Sequence, residues 1–521
     1  MHRVAAMISL WQLTAPVIVS DDFDGSRRDA VVVGAGLTGL VTAVLLARAG
    51  LRVAVIEARR AGAVTTGNTT GKLSLLQGTV FSELRKRAGD EVLAAYAEAN
   101  REGQAWMIRE LESWGEEVLE RRDAFTYSEG EDQHEALQRE LEAAQSVGVP
   151  VEYAADTGLP FACAGALRLE QQAQLQPMAA LARFAAELRE RGGILVESCR
   201  VFDVEETASG LRIVTSQGEI DADTCVLATG TPILDRGMFF AKSSFSRSFV
   251  AAYKIDEPAP SGMYVSIDAP HRSLRSALGA DGSELLVVGG GTVRAKRGSD
   301  TRAELKSLDG WAAERFADAR RLTLWAAQDY RTHTRVPFAG AMPGGGGKIF
   351  AATGYNKWGM TNAVAAALAI TGELLGGHME WARVLREHCV NIAGMGEAMR
   401  LNAVTAGRLI SDWAAAELSS VDAEREPEEG EGYVARDGID PVAVCKVNGL
   451  VHRNSGVCTH LGGIVAWNAA ERSWDCPLHG SRFAADGALL EGPAAQGLTP
   501  MSPGTNQASG EESPPSEMGF S

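Results

Sequence analysis

A chain of 521 residues is too long for one ordinary hydrophobic core and is expected to divide into two or three domains. Hydrophobic residues at 45% and charged residues at 22% exclude a disordered, collagen-like or multi-span membrane chain. The net charge of −17 argues against nucleic acid and anionic lipid as partners, because phosphate binding needs clustered Lys and Arg.

The stretch Met1 to Ser20 is mildly apolar, but Trp11, Gln12 and Pro16 interrupt it and no clean small-residue cleavage site follows, so no signal peptide is expected. Arg27-Arg28 precedes an apolar run bearing a glycine fingerprint, which a cleaved segment would waste. No other stretch approaches a membrane span, and no membrane partner is expected. Asp29 to Val33 reads as a strand, Gly34 to Gly39 as a tight turn, Leu40 to Ala49 as a helix and Leu51 to Ile56 as a returning strand, together a βαβ unit. Helical periodicity runs through Glu91 to Leu119, Gln133 to Val147 and Met178 to Arg191, the last followed by a strand from Ile194 to Glu197. Alternating helices and strands indicate an α/β domain.

From Ser419 the run SSVDAEREPEEGEG is acidic, lacks large apolar residues and contains a proline, so it reads as a linker. Short strand-like pieces broken by Gly, Asn and Asp continue to about Pro493 and suggest a small all-β domain. Ala494 to Ser521 is rich in Gly, Ser, Pro and Glu and is expected to be disordered. The expected division is an N-terminal segment at 1–27, a large domain at 28–415, a linker at 416–432, the β domain at 433–493 and a tail at 494–521. Five of the seven cysteines (Cys163, Cys199, Cys225, Cys389, Cys445) lie singly in apolar or strand-like surroundings and read as buried thiols. Only Cys458 and Cys476 have histidines at ligand spacing, a usage that fits a reducing compartment, the cytoplasm.

VVVGAGLTGLVTAVLLARAGLRVAVIE places Gly34, Ala35, Gly36, Leu37, Thr38 and Gly39 in a G-x-G-x-x-G turn, with Glu57, Ala58 and Arg59 at the end of the second strand. The first glycine permits the turn, the second lets pyrophosphate approach the backbone, and the third lets helix pack on strand, while the helix N-terminus faces the phosphates. Glu57 is placed to accept hydrogen bonds from ribose hydroxyls. The fingerprint implies a dinucleotide without separating FAD from NAD.

IFAATGYNKWGMTNAVAAALAITGELL, Ile349 to Leu375, resembles the C-terminal flavin-binding segment of the D-amino-acid oxidase-like superfamily of FAD enzymes. It reads as a strand, a Gly354 turn and a helix starting near Met360-Thr361, whose amides could hold negative charge on a reduced flavin. The resemblance spans roughly residues 8 to 415 and implies an FAD-binding Rossmann-like α/β (α+β) domain with an interleaved substrate domain. It places Gly354, Trp358, Gly359, Met360 and Thr361 at the flavin, Thr229 and Gly230 of TCVLATG at the FAD-proximal loop, and Val201 at the adenine. The loop TTGNTTGKLSLLQG resembles the one beneath the flavin, with Thr69, Thr70 and Lys72 as hydrogen-bonding candidates; a solvated loop is the alternative.

Cys458-Thr459-His460 and Cys476-Pro477-Leu478-His479 give C-x-H, fifteen intervening residues, then C-x-x-H. A [2Fe–2S] cluster with thiolates on one iron and imidazoles on the other needs two short loops each supplying one of either type. Zinc also takes two Cys and two His, but its modules favour C-x₂₋₄-C and H-x₃₋₅-H spacings. The surrounding HLGG and HGSRF resemble Rieske loops. Gly463 and Leu478 stand where respiratory Rieske proteins carry an additional cysteine pair, and Phe483 where they often carry a donating tyrosine, while Ser481 matches their serine. With one hydroxyl donor missing, the expected midpoint lies below the top of the Rieske range of about −150 to +300 mV.

The FAD-then-Rieske order resembles a family of bacterial FAD-dependent oxidoreductases with a Rieske domain. Flavin takes two electrons as a hydride and the cluster carries one, so the pair converts two-electron chemistry into single-electron steps. The superfamily implies oxidation of a small amine or amino-acid-like substrate, with the cluster relaying electrons to a redox partner protein or other acceptor. A carrier shuttling electrons between a partner and the cluster, without an organic substrate, is the rival reading. Lys72, His333 and Arg335 are candidate pocket residues, although an exposed charge or a satisfied core histidine is the commoner role, and no catalytic residue is assigned.

Overall fold

Ala30 to Val33 has no polar side chain to offer solvent, and the structure buries all four residues in the middle of a parallel sheet. The computed structural model describes residues 7–115, 118–234, 236–293, 300–390, 424–438 and 440–502. Residues 416–423 of the expected linker and 503–521 of the expected tail lie outside them.

The parallel strands belong to an 8-stranded sheet running 338–341, 349–353, 218–227, 28–33, 53–56 and 194–196, with the 201–207/210–215 hairpin attached. The helix Leu37–Arg48 follows the first strand, and Gly359–Leu374 packs on it and on Asp90–Leu111. Four strand ends converge: Val33 leads into Gly34, Ile56 into Glu57, Leu227 into Ala228 and Thr353 into Gly354. The carboxyl edge of such a sheet is where α/β proteins bind ligands.

A 9-stranded sheet supplies the opposing wall, in the order 320–332, 243–254, 284–293, 272–278, 263–266, 119–128, 165–175 and 72–73, with 152–153 paired to 165–175. The helix expected from Glu91 to Leu119 ends at Leu111. A short 3₁₀ turn follows, then Gly115 at φ 96°, a left-handed conformation that breaks the helical path before the strand Leu119–Ser128 begins. The N-terminal segment is built into the fold: Leu10 and Trp11 are buried, and the Trp11 Nε1 donates to the Thr69 carbonyl at 2.6 Å.

The small domain has a 3-stranded sheet (432–437, 440–447, 450–455) and a 4-stranded sheet (466–468, 473–475, 482–484, 489–491). It does not stop at Pro493. Ala494 and Leu498 are buried with Val434, Trp474 and Phe483, and Leu498 and Met501 donate backbone bonds to Gly487 and Arg453. Residues 494–502 are thus held against the domain by the burial of Ala494 and Leu498 and by these backbone bonds. At the other end, the Glu429 carboxylate accepts from the amides of Asn448 and Gly449 at 2.9 Å, so the acidic run is bound to this domain before its first strand. Among the described residues no helix is long and apolar enough to cross a membrane.

Candidate functional site

A cavity of about 820 Å³ lies between the two large sheets. Gly34, Gly36, Leu37, Thr38, Glu57, Ala58 and Arg59 line one end, and Val201, Thr229 and Gly230 adjoin them. Thr69, Thr70, Lys72, Gly354, Trp358, Gly359 and Met360 line the rest, so these sequence-derived candidates share one space. Three do not reach it. Gly39 supports the turn from below, where an added Cβ would stand 1.9 Å from the Gly34 carbonyl oxygen. Ala35 points its amide at the Glu57 Oε2, 2.9 Å away. Thr361 turns toward the neighbouring helix, donating to the Asn100 Oδ1 at 2.5 Å, because it lies one residue past Met360, about 100° further round the helix. Of the two further pocket candidates, Arg335 lines the cavity and His333 does not.

The Glu57 carboxylate also accepts from the Arg59 amide at 2.8 Å, and burial raises its pKa against the pull of those two amides. Lys72 is buried on its short strand, hydrogen-bonded to the Ser273 hydroxyl. Burial pushes its ammonium well below the lysine range, helped by the nearby Arg275 guanidinium. Arg275 in turn donates to the carbonyls of Thr70, Gly71, Leu175 and Ser276. Asp329 lines the same cavity with a buried Oδ2 that has no hydrogen-bond partner, and burial raises its carboxyl to about 6 against the opposing pull of Lys357 and Arg331. Gln328, Asp329, Tyr330, Arg200 and Lys357 escaped the sequence reading; QDYR is an ordinary polar strand with no motif to mark it.

Cys458 and Cys476 sit in two loops of one geometry. In each, the cysteine carbonyl accepts from a left-handed glycine four residues on (Gly462, φ 73°; Gly480, φ 83°). The cysteine amide donates to the next carbonyl after that glycine, Gly463 or Ser481, at 2.7 and 2.8 Å. The pseudo-symmetry brings His460 and His479 together, ring centroids 5.1 Å apart, while both cysteines are buried. Hydrogen bonding to Cys476 holds the Cys458 thiol down at about 7 against its burial, with the amides of His460 and Leu461 and the Ser481 hydroxyl assisting. A Cβ on Gly463 would stand 2.7 Å from the Leu478 side chain and 3.0 Å from the Cys476 sulfur, so the two loops meet closely at this glycine. Each loop offers one cysteine and one histidine, the donor set that a two-iron cluster with two protein ligands per iron requires. Phe483 is fully buried in the domain core and brings no hydroxyl.

The FAD dependent oxidoreductase (DAO) family model matches residues 29–372. The chain belongs to this family. A Rieske [2Fe–2S] domain model matches residues 418–502, so the oxidoreductase domain binds FAD and the C-terminal domain binds a [2Fe–2S] cluster. YhfW of Bacillus subtilis (strain 168), a Rieske 2Fe–2S iron–sulfur protein by name, is 29% identical over 482 residues, covering 91% of this chain and 93% of its own. The DAO fold is shared with glycine oxidase from Geobacillus kaustophilus (TM-score 0.56, 19% identity, 68% of this chain and 96% of that one). It is shared also with L-proline dehydrogenase from P. horikoshii (TM-score 0.57, 17% identity, 70% and 96%). The glycine turn fits FAD, and Gly39→Ala is expected to cost about 1–3 kcal/mol through overpacking. The effect would be read as a lower Tm and less bound flavin per chain.

Proposed function

We propose that this DAO-family enzyme oxidises a small amine or amino-acid-like donor and passes the electrons one at a time through its Rieske cluster to an acceptor, in the reducing cytoplasm. One contact carries the relay. Gln328 lines the FAD cavity, and its Nε2 donates at 2.8 Å to the carbonyl of Gly480, the residue after the cluster ligand His479. FAD, when bound, supplies the two-electron acceptor that can be reoxidised in single steps.

The chain's own part is proton handling. An ammonium substrate must lose a proton from nitrogen before its C–H bond can leave as hydride, and the buried Lys72 amine is the cavity group suited to take it. The Ser273 hydroxyl fixes the position of its Nζ. Asp329, near 6, is the second group able to exchange a proton close to neutrality.

The test is anaerobic stopped-flow reduction of the holoprotein with a panel of amines, amino acids and NAD(P)H. Flavin bleaching by an amine, followed by growth of the reduced-cluster signal, is the expected result; bleaching only by a reduced protein partner would establish the carrier reading instead. Lys72→Met should slow the amine reaction by roughly 10²–10⁴-fold at pH 7, the usual contribution of a general base. The deficit should shrink as rising pH deprotonates the amine in solution.

A further inference from the structure

The cavity that takes FAD is not closed by the oxidoreductase domain alone. Leu490, Glu491, Gly492 and Ala494, all in the Rieske domain, line it together with Gly34, Gly36 and Glu57. At the dinucleotide end Arg59 donates to the Leu490 carbonyl at 3.3 Å and Arg200 to that of Leu489 at 3.5 Å. Both arginines also line the cavity, and a guanidinium has five N–H donors, so each retains donors for an anionic ligand while a Rieske carbonyl fixes its direction. Further along the same wall the Tyr330 hydroxyl donates to the Gly492 carbonyl at 3.1 Å.

On the oxidoreductase side the interface is also fastened by groups outside the cavity lining. Arg247, on the long strand Ser243–Lys254, reaches into the Rieske domain and pairs with Glu471 and, at 3.1 Å, with Glu491. Its side chain is 6% exposed, so undocking would leave two Rieske carboxylates sharing Arg482 alone. Phe240 packs edge-on against both His460 and His479, at 5.3 and 5.2 Å between centroids. Neither Arg247 nor Phe240 touches the cavity.

We infer that the Rieske segment 489–494 is a component of the FAD-binding site, so that flavin retention and Rieske docking are thermodynamically coupled. Linkage is reciprocal: whatever docking adds to FAD affinity, FAD adds to docking, and such couplings commonly amount to roughly 5–150-fold. The second domain thus has a binding role separate from electron transfer, for an anionic flavin dinucleotide. The inference depends on FAD occupying the cavity and not on the identity of the substrate or the direction of electron flow.

Two measurements on the full-length protein test it. In the wild-type chain with its cluster intact, hydrogen–deuterium exchange of 489–494 should rise when FAD is removed and fall when it is restored, while 450–455 on the far sheet stays constant. Exchange at 489–494 that ignores FAD would overturn the inference. Phe240→Ala, which loosens docking from outside the cavity, and Arg247→Met, which does so by freeing Glu471 and the cavity-lining Glu491, should each release FAD faster, by roughly 5–150-fold, followed by free-flavin fluorescence. Unchanged FAD release in whichever variant shows raised exchange at 489–494 would likewise refute it. These outcomes are independent of any amine or acceptor, so they can fail while the proposed reaction stands, and the reverse.

Discussion

Cys458→Ala is expected to give a yellow protein that has lost its iron, is bleached once by its donor and then stops. The argument begins with ligand count. In the proposed site each iron would have two protein ligands, and Cys458 and Cys476 would supply the two thiolates of one iron, so removing either would leave that iron held by a single side chain. Cys458 does not line the FAD cavity, and the ion pairs that dock the Rieske domain, Arg247 with Glu471 and Glu491, lie outside the cluster loops. The loops also touch Phe240 and Gln328, so flavin should be held less tightly once the cluster is lost, and FAD supplied in the assay keeps the site filled. The first half-reaction, donor to flavin, should keep its wild-type rate in anaerobic stopped flow, while iron content and the low-temperature electron paramagnetic resonance signal of the reduced cluster disappear. Steady-state turnover with a one-electron acceptor should fall to background. Sustained turnover at the wild-type rate with that acceptor would mean that electrons leave the flavin directly, and the relay would have to be given up.

The two cofactors differed in how plainly the chain announced them, and the difference is physical. Four cluster ligands lie within 22 residues, Cys458 to His479, because one iron–sulfur centre can be built from two adjacent loops of fixed form. Short-range spacing is what a sequence displays. The FAD turn was equally visible, since Gly34, at φ 105°, and Gly39, against the Gly34 carbonyl, answer steric demands that only glycine meets. The rest of the cavity is assembled from distant segments: Lys72 on a two-residue strand, Gln328 to Tyr330 on the far sheet, and Leu490 to Gly492 on another domain. None has a local peculiarity, and their meeting is a property of sheet order. The misplacement of Thr361 has the same origin, because one step along a helix swings a side chain by about 100°. The C-terminal end of the Rieske domain was misjudged for a different reason. Composition alone cannot show that Ala494 and Leu498, beside Gly497 and Pro500, pack into a core as they do.

Arg482→Met should have the largest effect on stability of any single substitution outside the cluster. Arg482, with a side chain 5% exposed, pairs with Asp475 at 3.0 Å, Glu471 at 2.7 Å and Glu491 at 2.8 Å. Burial on its own would raise the Glu471 carboxyl, but the guanidiniums of Arg247 and Arg482 outweigh it and hold the group at about 2. Glu491 is lowered by the same two cations against its burial. Removing Arg482 leaves Glu471 and Glu491 to Arg247 and takes from buried Asp475 its ion pair, and breaking a buried network from one side costs roughly 3–5 kcal/mol. Denaturant titration followed by the visible absorption of the cluster measures it. The sign of the pH dependence follows from the direction of the shifts. A carboxyl whose pKa is depressed in the folded state takes up a proton on unfolding, so its contribution is complete above its ordinary value of 4.5 and is lost as pH falls toward 2. Wild-type docking should therefore weaken with acid only across that interval. In Arg482→Met, Glu471 keeps its burial but loses one of the two cations that offset it, so its carboxyl rises and acid loss begins at higher pH. A variant whose acid transition coincides with that of the wild type would show that Arg247 alone holds Glu471 and Glu491 ionised.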